Sequence, residues 1–256
     1  MSAPALLLHR DAEALTHAVA ARLVTRLVDA QSNGRIASVS LTGGRIAAAV
    51  YRTIAESPAR SAVDWSRVDL WWSDERFLPD GDPERNETQA REALLDAVRP
   101  DPARVHAMPA DHGQGAEQAA ADYAADLAKA AQPGDALGVP VFDLMMFGVG
   151  PDGHVASLFP EQPALHERNR SVVAVHGAPK PPPTRITMTM PVLSRTAEVW
   201  FVVSGHDKAS AVRLALSGAG EMQIPAAGPK GRNRTLWLLD NEAAAEVPKN
   251  IVPPRI

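Results

Sequence analysis

Short apolar runs alternate along this chain with stretches in which apolar residues recur every three or four positions. Residues 6–8 form a first short run, read as a strand. From Asp11, placed as a helix cap, Leu15, Val19, Leu23 and Leu27 fall four apart, which is the period of one helical face, and Asn33-Gly34 marks its stop. Residues 36–41 read as a strand running into Thr42-Gly43-Gly44, followed by an Ala-rich helix over 46–55 that Ser57-Pro58 closes. The run 68–72 is the next strand, and it leads directly into Asp74-Glu75-Arg76, read as a charged turn. A polar loop over 79–83 precedes a helix through Leu94 and Leu95 that stops by Pro100, and a further Ala-rich helix covers about 116–131.

The apolar run 142–147 predicts a buried strand, broken at once by Gly148, Gly150 and Gly153 and closed by Pro160. Beyond it, 171–175 is β-like, 178–183 is a proline-rich extended loop, and 185–190 alternates as a strand does. Strand 198–203, helix 206–216, a Gly/Pro-rich loop over 218–233 and strand 235–239 complete the series, with a loosely held tail expected from Pro248. Strands alternating with helices imply an α/β fold with a mostly parallel sheet covered on both faces. No repeat or linker divides the chain, so one domain over 1–256 is expected, with its core at about 6–245.

Composition narrows the functional classes. The chain has 256 residues, 45% hydrophobic and 22% charged, which suits a globular protein with a sizeable core. A formal net charge of −4 gives no general attraction to nucleic acid or to an anionic membrane. Without cysteine there is no disulfide, thiolate nucleophile or Cys-ligated metal. No apolar run approaches the roughly 20 residues that cross a bilayer. The N-terminus, with few apolar residues lying before its arginine, is unlike a secretory signal. A cytoplasmic enzyme is the expectation.

In an open α/β sheet, ligands bind beyond the carboxyl ends of the strands. Three strands end there in chemically loaded segments: Thr42-Gly43-Gly44, Asp74-Glu75-Arg76, and 150–154. The first combines a hydroxyl, two glycines and a helix N-terminus, which together suit an anion such as phosphate or simply make a tight turn. Arg76 has the planar fork that holds phosphate or carboxylate, or it forms a surface ion pair. Arg185 and Lys208 are further cations near element starts. His154, two residues after Asp152, is either a general base with a carboxylate to orient it or a histidine that fixes its turn. Residues 148–153 match the G-x-G-x-x-G spacing, but Pro160 stops the following helix and no acidic residue ends the next strand. Dinucleotide binding is therefore rejected. The remaining histidines have no metal-ligand spacing, and no metal is expected.

Taken together, these segments resemble the 6-phosphogluconolactonase family. The resemblance is carried by residues 41–44 (Leu-Thr-Gly-Gly), 71–79 (Trp-Trp-Ser-Asp-Glu-Arg-Phe-Leu-Pro), 83–86, 147–160, 183–191 and 205–209, in the family's order. It implies a Rossmann-like α/β/α sandwich that hydrolyses 6-phospho-D-glucono-1,5-lactone to 6-phosphogluconate with no cofactor. It implies His154 as general base with Asp152 beside it, and Arg76 stabilising charge near the lactone or phosphate. Thr42, Gly43, Gly44, Arg185 and Lys208 would hold the phosphate, while Asp74, Asn86 and Gly150 would line the substrate site. The only partner expected is the small sugar-phosphate lactone, with the chain a monomer or weak homodimer.

One position departs from the family. Its turn carries a small hydroxyl residue after Ser-Gly-Gly, where this chain has Thr42-Gly-Gly-Arg45. Two rival readings remain. The related glucosamine-6-phosphate deaminases carry a glutamate five residues after the histidine to open the sugar ring, and here that position is Phe159. A sugar-phosphate-sensing domain would bring a helix-turn-helix, of which the first thirty residues show only one helix.

Overall fold

The computed structural model describes residues 4–249 and 251. Seven strands form an all-parallel sheet in the order β1-β10-β9-β6-β2-β3-β5. They are β1 (Ala5–His9), β2 (Ala37–Leu41), β3 (Val68–Trp72), β5 (Val105–His106), β6 (Phe142–Phe147), β9 (Thr196–Val203) and β10 (Arg234–Asp240). Three strands form a second, antiparallel sheet in the order β4-β8-β7: β4 (Asp74–Arg76), β7 (Val172–Val175) and β8 (Arg185–Met188).

Side-chain alternation along the central strands builds two cores, one on each face. Leu144 and Met146 of β6, with Trp200 and Val202 of β9, meet α1 (Ala12–Gln31), α2 (Arg45–Glu56) and α3 (Asn86–Ala90). That third helix continues through a π-turn (Arg91–Leu95) into α4 (Asp96–Val98). Met145, Phe147, Phe201 and Val203 point the other way, toward α5 (Ala116–Ala130), α6 (Met190–Leu193), α7 (Ala209–Leu216) and the antiparallel sheet. The result is the expected α/β/α sandwich. Asp11 caps α1 as its sequence predicts, its carboxylate accepting the Ala14 N–H at 2.8 Å.

The antiparallel sheet corrects two expectations. Asp74-Glu75-Arg76 is not a turn but a strand, paired in register with Thr187, Ile186 and Arg185. Residues 171–175 and 185–190 supply its other two strands rather than extending the parallel sheet, and the last of them ends at Met188. Three charged residues carry no apolar alternation, so only the partner strand reveals them as β-structure. The two-residue edge strand β5 is likewise too short to leave a pattern. Most of the tail from Pro248 lies outside the described residues.

The strand order fixes where a ligand can lie. From β2 the chain moves to β3, and from its neighbour β6 it moves to β9 on the opposite side. The connections after β2 and β6 therefore diverge and leave a crevice beyond the carboxyl ends of these strands. The segments emerging there are Thr42-Gly43-Gly44 and residues 148–154.

Candidate active site

A cleft of about 480 Å³ occupies this switch point. Of the residues singled out from sequence, Thr42, Gly43, Gly44, Asp74, Arg76, Asn86, Gly150, His154, Arg185 and Lys208 line it. Asp152 does not; it lies behind His154. The lining includes five cations, Arg45, Arg76, Lys180, Arg185 and Lys208, against the single carboxylate of Asp74. A chain of net negative charge thus concentrates positive charge in one place, as a site for a small anion requires.

The Thr42 turn is shaped by its neighbours. The Tyr51 hydroxyl, buried on α2, donates to the Thr42 carbonyl at 2.8 Å and accepts the Thr42 N–H at 3.1 Å. Gly44 takes φ 99° and begins α2, whose N-terminus has no side-chain cap and no acidic residue in its first turn. Its N–H groups and the positive end of its dipole are left for an anion in the cleft. Gly43 is required by a close approach, since a Cβ there would lie 1.8 Å from Asn86 Oδ1. That oxygen is buried and accepts no hydrogen bond, an acceptor available to a ligand donor.

The short strand β4 divides its side chains by the period of two. Asp74 and Arg76 face the cleft, and Glu75 points into the protein, where it is fully buried. Its carboxylate accepts backbone N–H groups from Arg76 (2.8 Å), Asn86 (2.6 Å) and Glu87 (2.9 Å), and Arg85 lies 3.8 Å away. Burial pushes this carboxyl up to about 7, against the pull of Arg85 and the three N–H groups. Glu75 thereby ties β4 to the start of α3 and places Asn86, whose Nδ2 donates to the Asp74 carbonyl at 2.9 Å. Asp74 Oδ2 accepts the Ser157 hydroxyl at 2.7 Å. Arg76 Nη1 donates to the Glu84 carbonyl at 2.7 Å.

His154 and Asp152 form a tight pair, with Nδ1 and Oδ1 2.6 Å apart. A carboxylate only accepts, so Nδ1 carries the hydrogen and Nε2 is left as a base. Burial raises the Asp152 carboxyl, but the hydrogen bond and charge of His154, with Lys180 at 3.3 Å, outweigh it and hold the group well below the usual carboxylate range. Gly150 makes room, because a Cβ at that position would sit 2.0 Å from His154 Nδ1 and 2.4 Å from Asp152 Oδ1. The buried Phe159 ring packs against the imidazole at 4.5 Å between centroids and carries the Arg185 guanidinium 5.5 Å above its own centroid.

Arg185 differs from its sequence expectation in one respect. It lines the cleft, yet Nε and Nη2 are already engaged with the carbonyls of Pro182, Lys180 and Pro181 at 3.0–3.1 Å, and Nη1 approaches Ser157 Oγ at 3.4 Å. Lys208 lines the cleft and pairs with its neighbour Asp207. Lys180, Ser157 and Glu75 were not recognised as site residues in the sequence. Lys180 alone left a signal there, as the one charge inside a proline run. Among the described residues no group of three His, Asp or Glu side chains converges as a metal site, and no helix is long and apolar enough to cross a membrane.

Fold and cleft together define an α/β enzyme with a cationic crevice, a helix-terminus anion turn and a histidine–aspartate pair at its switch point. Residues 10–237 match the family of glucosamine-6-phosphate isomerases/6-phosphogluconolactonase, and the chain belongs to that family. Within it, a 6-phosphogluconolactonase of Streptomyces coelicolor is 57% identical over 254 residues, covering 98% of this chain and 97% of the relative. A 6-phosphogluconolactonase of Mycobacterium tuberculosis is 46% identical over 241 residues, covering 93% of this chain and 96% of the relative. The crystal structure of a 6-phosphogluconolactonase from Thermotoga maritima superposes with a TM-score of 0.79 at 25% identity, covering 93% of this chain and 99% of that one.

Proposed function

We propose that the chain hydrolyses 6-phospho-D-glucono-1,5-lactone to 6-phosphogluconate, with His154 as general base. The observation that carries this reading is the 2.6 Å contact of Nδ1 with Asp152, which leaves Nε2 as the unprotonated nitrogen of a cleft-lining imidazole. Near identity of length with lactonase relatives supports the reaction.

The chemistry asks little of the protein. Nε2 takes a proton from water as its oxygen attacks the lactone carbonyl carbon, and negative charge grows on the carbonyl oxygen. Arg76 faces the cleft with a guanidinium suited to that charge. Collapse of the tetrahedral adduct breaks the bond to the ring oxygen, which takes the proton back from His154. A lactone is an activated ester, so one base and one anion-stabilising group suffice, and no covalent intermediate is needed. The phosphate is assigned to the Thr42–Gly44 turn with Lys208, and Arg45 adds a second cation at that end in place of the family's hydroxyl. Arg185 contributes positive charge, while Asp74 and Asn86 Oδ1 are assigned to sugar hydroxyls. Asp152 orients His154 without touching substrate.

Phe159 supports hydrolysis over ring-opening deamination. It is a buried apolar ring packed on the imidazole, where a deaminase would present a carboxylate. The proposal includes a cytoplasmic monomer or weak homodimer, checked by sedimentation. The activity is tested by generating the lactone with glucose-6-phosphate dehydrogenase and following 6-phosphogluconate. Formation well above the spontaneous rate is expected; a rate equal to the spontaneous one would refute the reading.

A further inference from the structure

The proline-rich segment 178–183 is a strap at the wall of the cleft, where Lys180 and Pro181 line it. Its ends are joined by the Ala178 N–H donating to the Pro183 carbonyl at 2.9 Å. Between them, one buried guanidinium pins three successive carbonyls: Arg185 donates to Lys180 (3.1 Å), Pro181 (3.0 Å) and Pro182 (3.1 Å). Prolines restrict the backbone further. The strap carries a single charge, Lys180, whose ammonium reaches over the cleft edge to Asp152 Oδ1 at 3.3 Å and His154 Nδ1 at 3.5 Å.

A surface lysine has no need of such a mount. The cation meets the pair from the side of Nδ1, the nitrogen that does not react, so its effect on the reaction is exerted through His154. Its charge sits against the same Asp152 oxygen that meets Nδ1, so it bears on how that carboxylate holds the ring. The other charges disposed around His154 are Arg185 of β8 beyond the Phe159 ring, Asp74 and Arg76 of β4, and Arg45 and Lys208 at the phosphate end of the cleft. Lys180 lies 3.5 Å from Nδ1, which already carries a hydrogen, so the two meet without a hydrogen bond and the partner they share is Asp152.

We propose that Lys180 is a positioning residue for the His154–Asp152 pair, holding the Asp152 carboxylate against Nδ1 so that Nε2 stays turned to the cleft, and that Arg185 acts mainly by mounting Lys180 through the strap. This rests on the lactonase reading. Lys180 forms no bond to substrate. In the forward half of the reaction the proton moves from water to Nε2; in the second half it moves from Nε2 to the ring oxygen as the carbon–oxygen bond breaks.

The test is the steady-state kinetics of Lys180→Met and Lys180→Arg beside the unaltered protein. With the cation removed, kcat should fall by about 10-fold or more while KM changes little. Lys180→Arg should restore most of kcat. Arg185→Met should lower kcat in the same way, and adding it to Lys180→Met should lower it little further. If Arg185→Met fails to fold, the two Lys180 variants decide the matter alone. An unchanged kcat in Lys180→Met, or a loss that Lys180→Arg does not restore, would overturn the proposal and leave Lys180 as a structural contact. Failure of the unaltered protein to hydrolyse the lactone would sink the lactonase reading itself, a different and separable outcome.

Discussion

Arg76 and Arg185 stand directly opposite each other on adjacent antiparallel strands, two guanidinium groups in register at one wall of the cleft. Like charges so placed destabilise a sheet. Burial lowers Arg185 from the usual guanidinium value; Asp74 opposes this, and Arg76 adds to it. An anion is what makes such a pair favourable, so the arrangement reads as a site whose stability is completed by its ligand.

Arg76→Gln should therefore leave stability unchanged or raise it, by an amount on the order of 0.2–1 kcal/mol, with a thermal midpoint that is unchanged or higher, while KM for the phosphorylated lactone rises. Inorganic phosphate should raise the midpoint of the unaltered protein more than that of the variant. Thermal melts with and without phosphate check both points. A lowered midpoint with unchanged KM would show that Arg76 serves the fold rather than the ligand.

Gly150 has no side chain because His154 occupies the space. Gly150→Ala would place a Cβ 2.0 Å from Nδ1 and 2.1 Å from Cε1, so the ring has to move. Displacing a catalytic base by about 1 Å costs roughly 10²-fold in kcat. Steady-state kinetics should show that loss with KM little altered, and a variant that keeps its full kcat would contradict the placement of His154.

Tyr51 is the anchor of the phosphate turn. Tyr51→Phe removes the partner of both the Thr42 N–H and the Thr42 carbonyl, two groups that then lie buried and unsatisfied. Stability should fall by about 1–3 kcal/mol, read from a denaturant melt. KM for the phosphorylated lactone should rise, and hydrolysis of an unphosphorylated gluconolactone should change less. Equal losses toward both substrates would separate this turn from phosphate binding.

The depressed Asp152 carboxyl has a consequence for stability. Its folded value lies below the unfolded value of about 3.9, so the folded state binds fewer protons than the unfolded one as pH drops. The stabilisation it provides is present above pH ~4 and is lost as pH falls through the lower folded value. Asp152→Asn removes this term, so unfolding midpoints of variant and parent should converge between about pH 5 and pH 2. Parallel curves over that range would show that the pair contributes nothing to folding. The same variant removes the negative charge that holds the ring, and its amide can turn either its oxygen or its NH2 toward Nδ1, so the hydrogen is no longer fixed there. It should lower kcat by about 10²–10⁴-fold.

The sequence reading reached most of the fold and the cleft because both leave periodic or compositional marks. Leu15 to Leu27 repeat with the helical period, and the run 142–147 is apolar throughout because its strand is covered on both faces. The Gly43-Gly44 and Gly150 turns also stand out, being glycines just beyond apolar runs. What escaped lacked such a mark. Residues Asp74–Arg76 become a strand only through pairing with β8, some 110 residues later, which no local pattern encodes. Lys180 is marked only as the one charge in a proline run; that it faces His154 and Asp152, on a strap whose carbonyls Arg185 holds, is visible only in three dimensions. The family resemblance gives Arg185 a phosphate-holding role; its hydrogen bonds to the carbonyls of the strap are visible only in three dimensions.

If His154 Nε2 is the base that activates water, its removal stops catalysis and spares the fold. This is measured by the turnover of His154→Asn in the coupled lactone assay, alongside a thermal melt of the same preparation. A fall in kcat of about 10²–10⁴-fold at an unchanged melting midpoint is expected. Turnover close to that of the unaltered protein, in a variant that melts normally, would refute the role of His154.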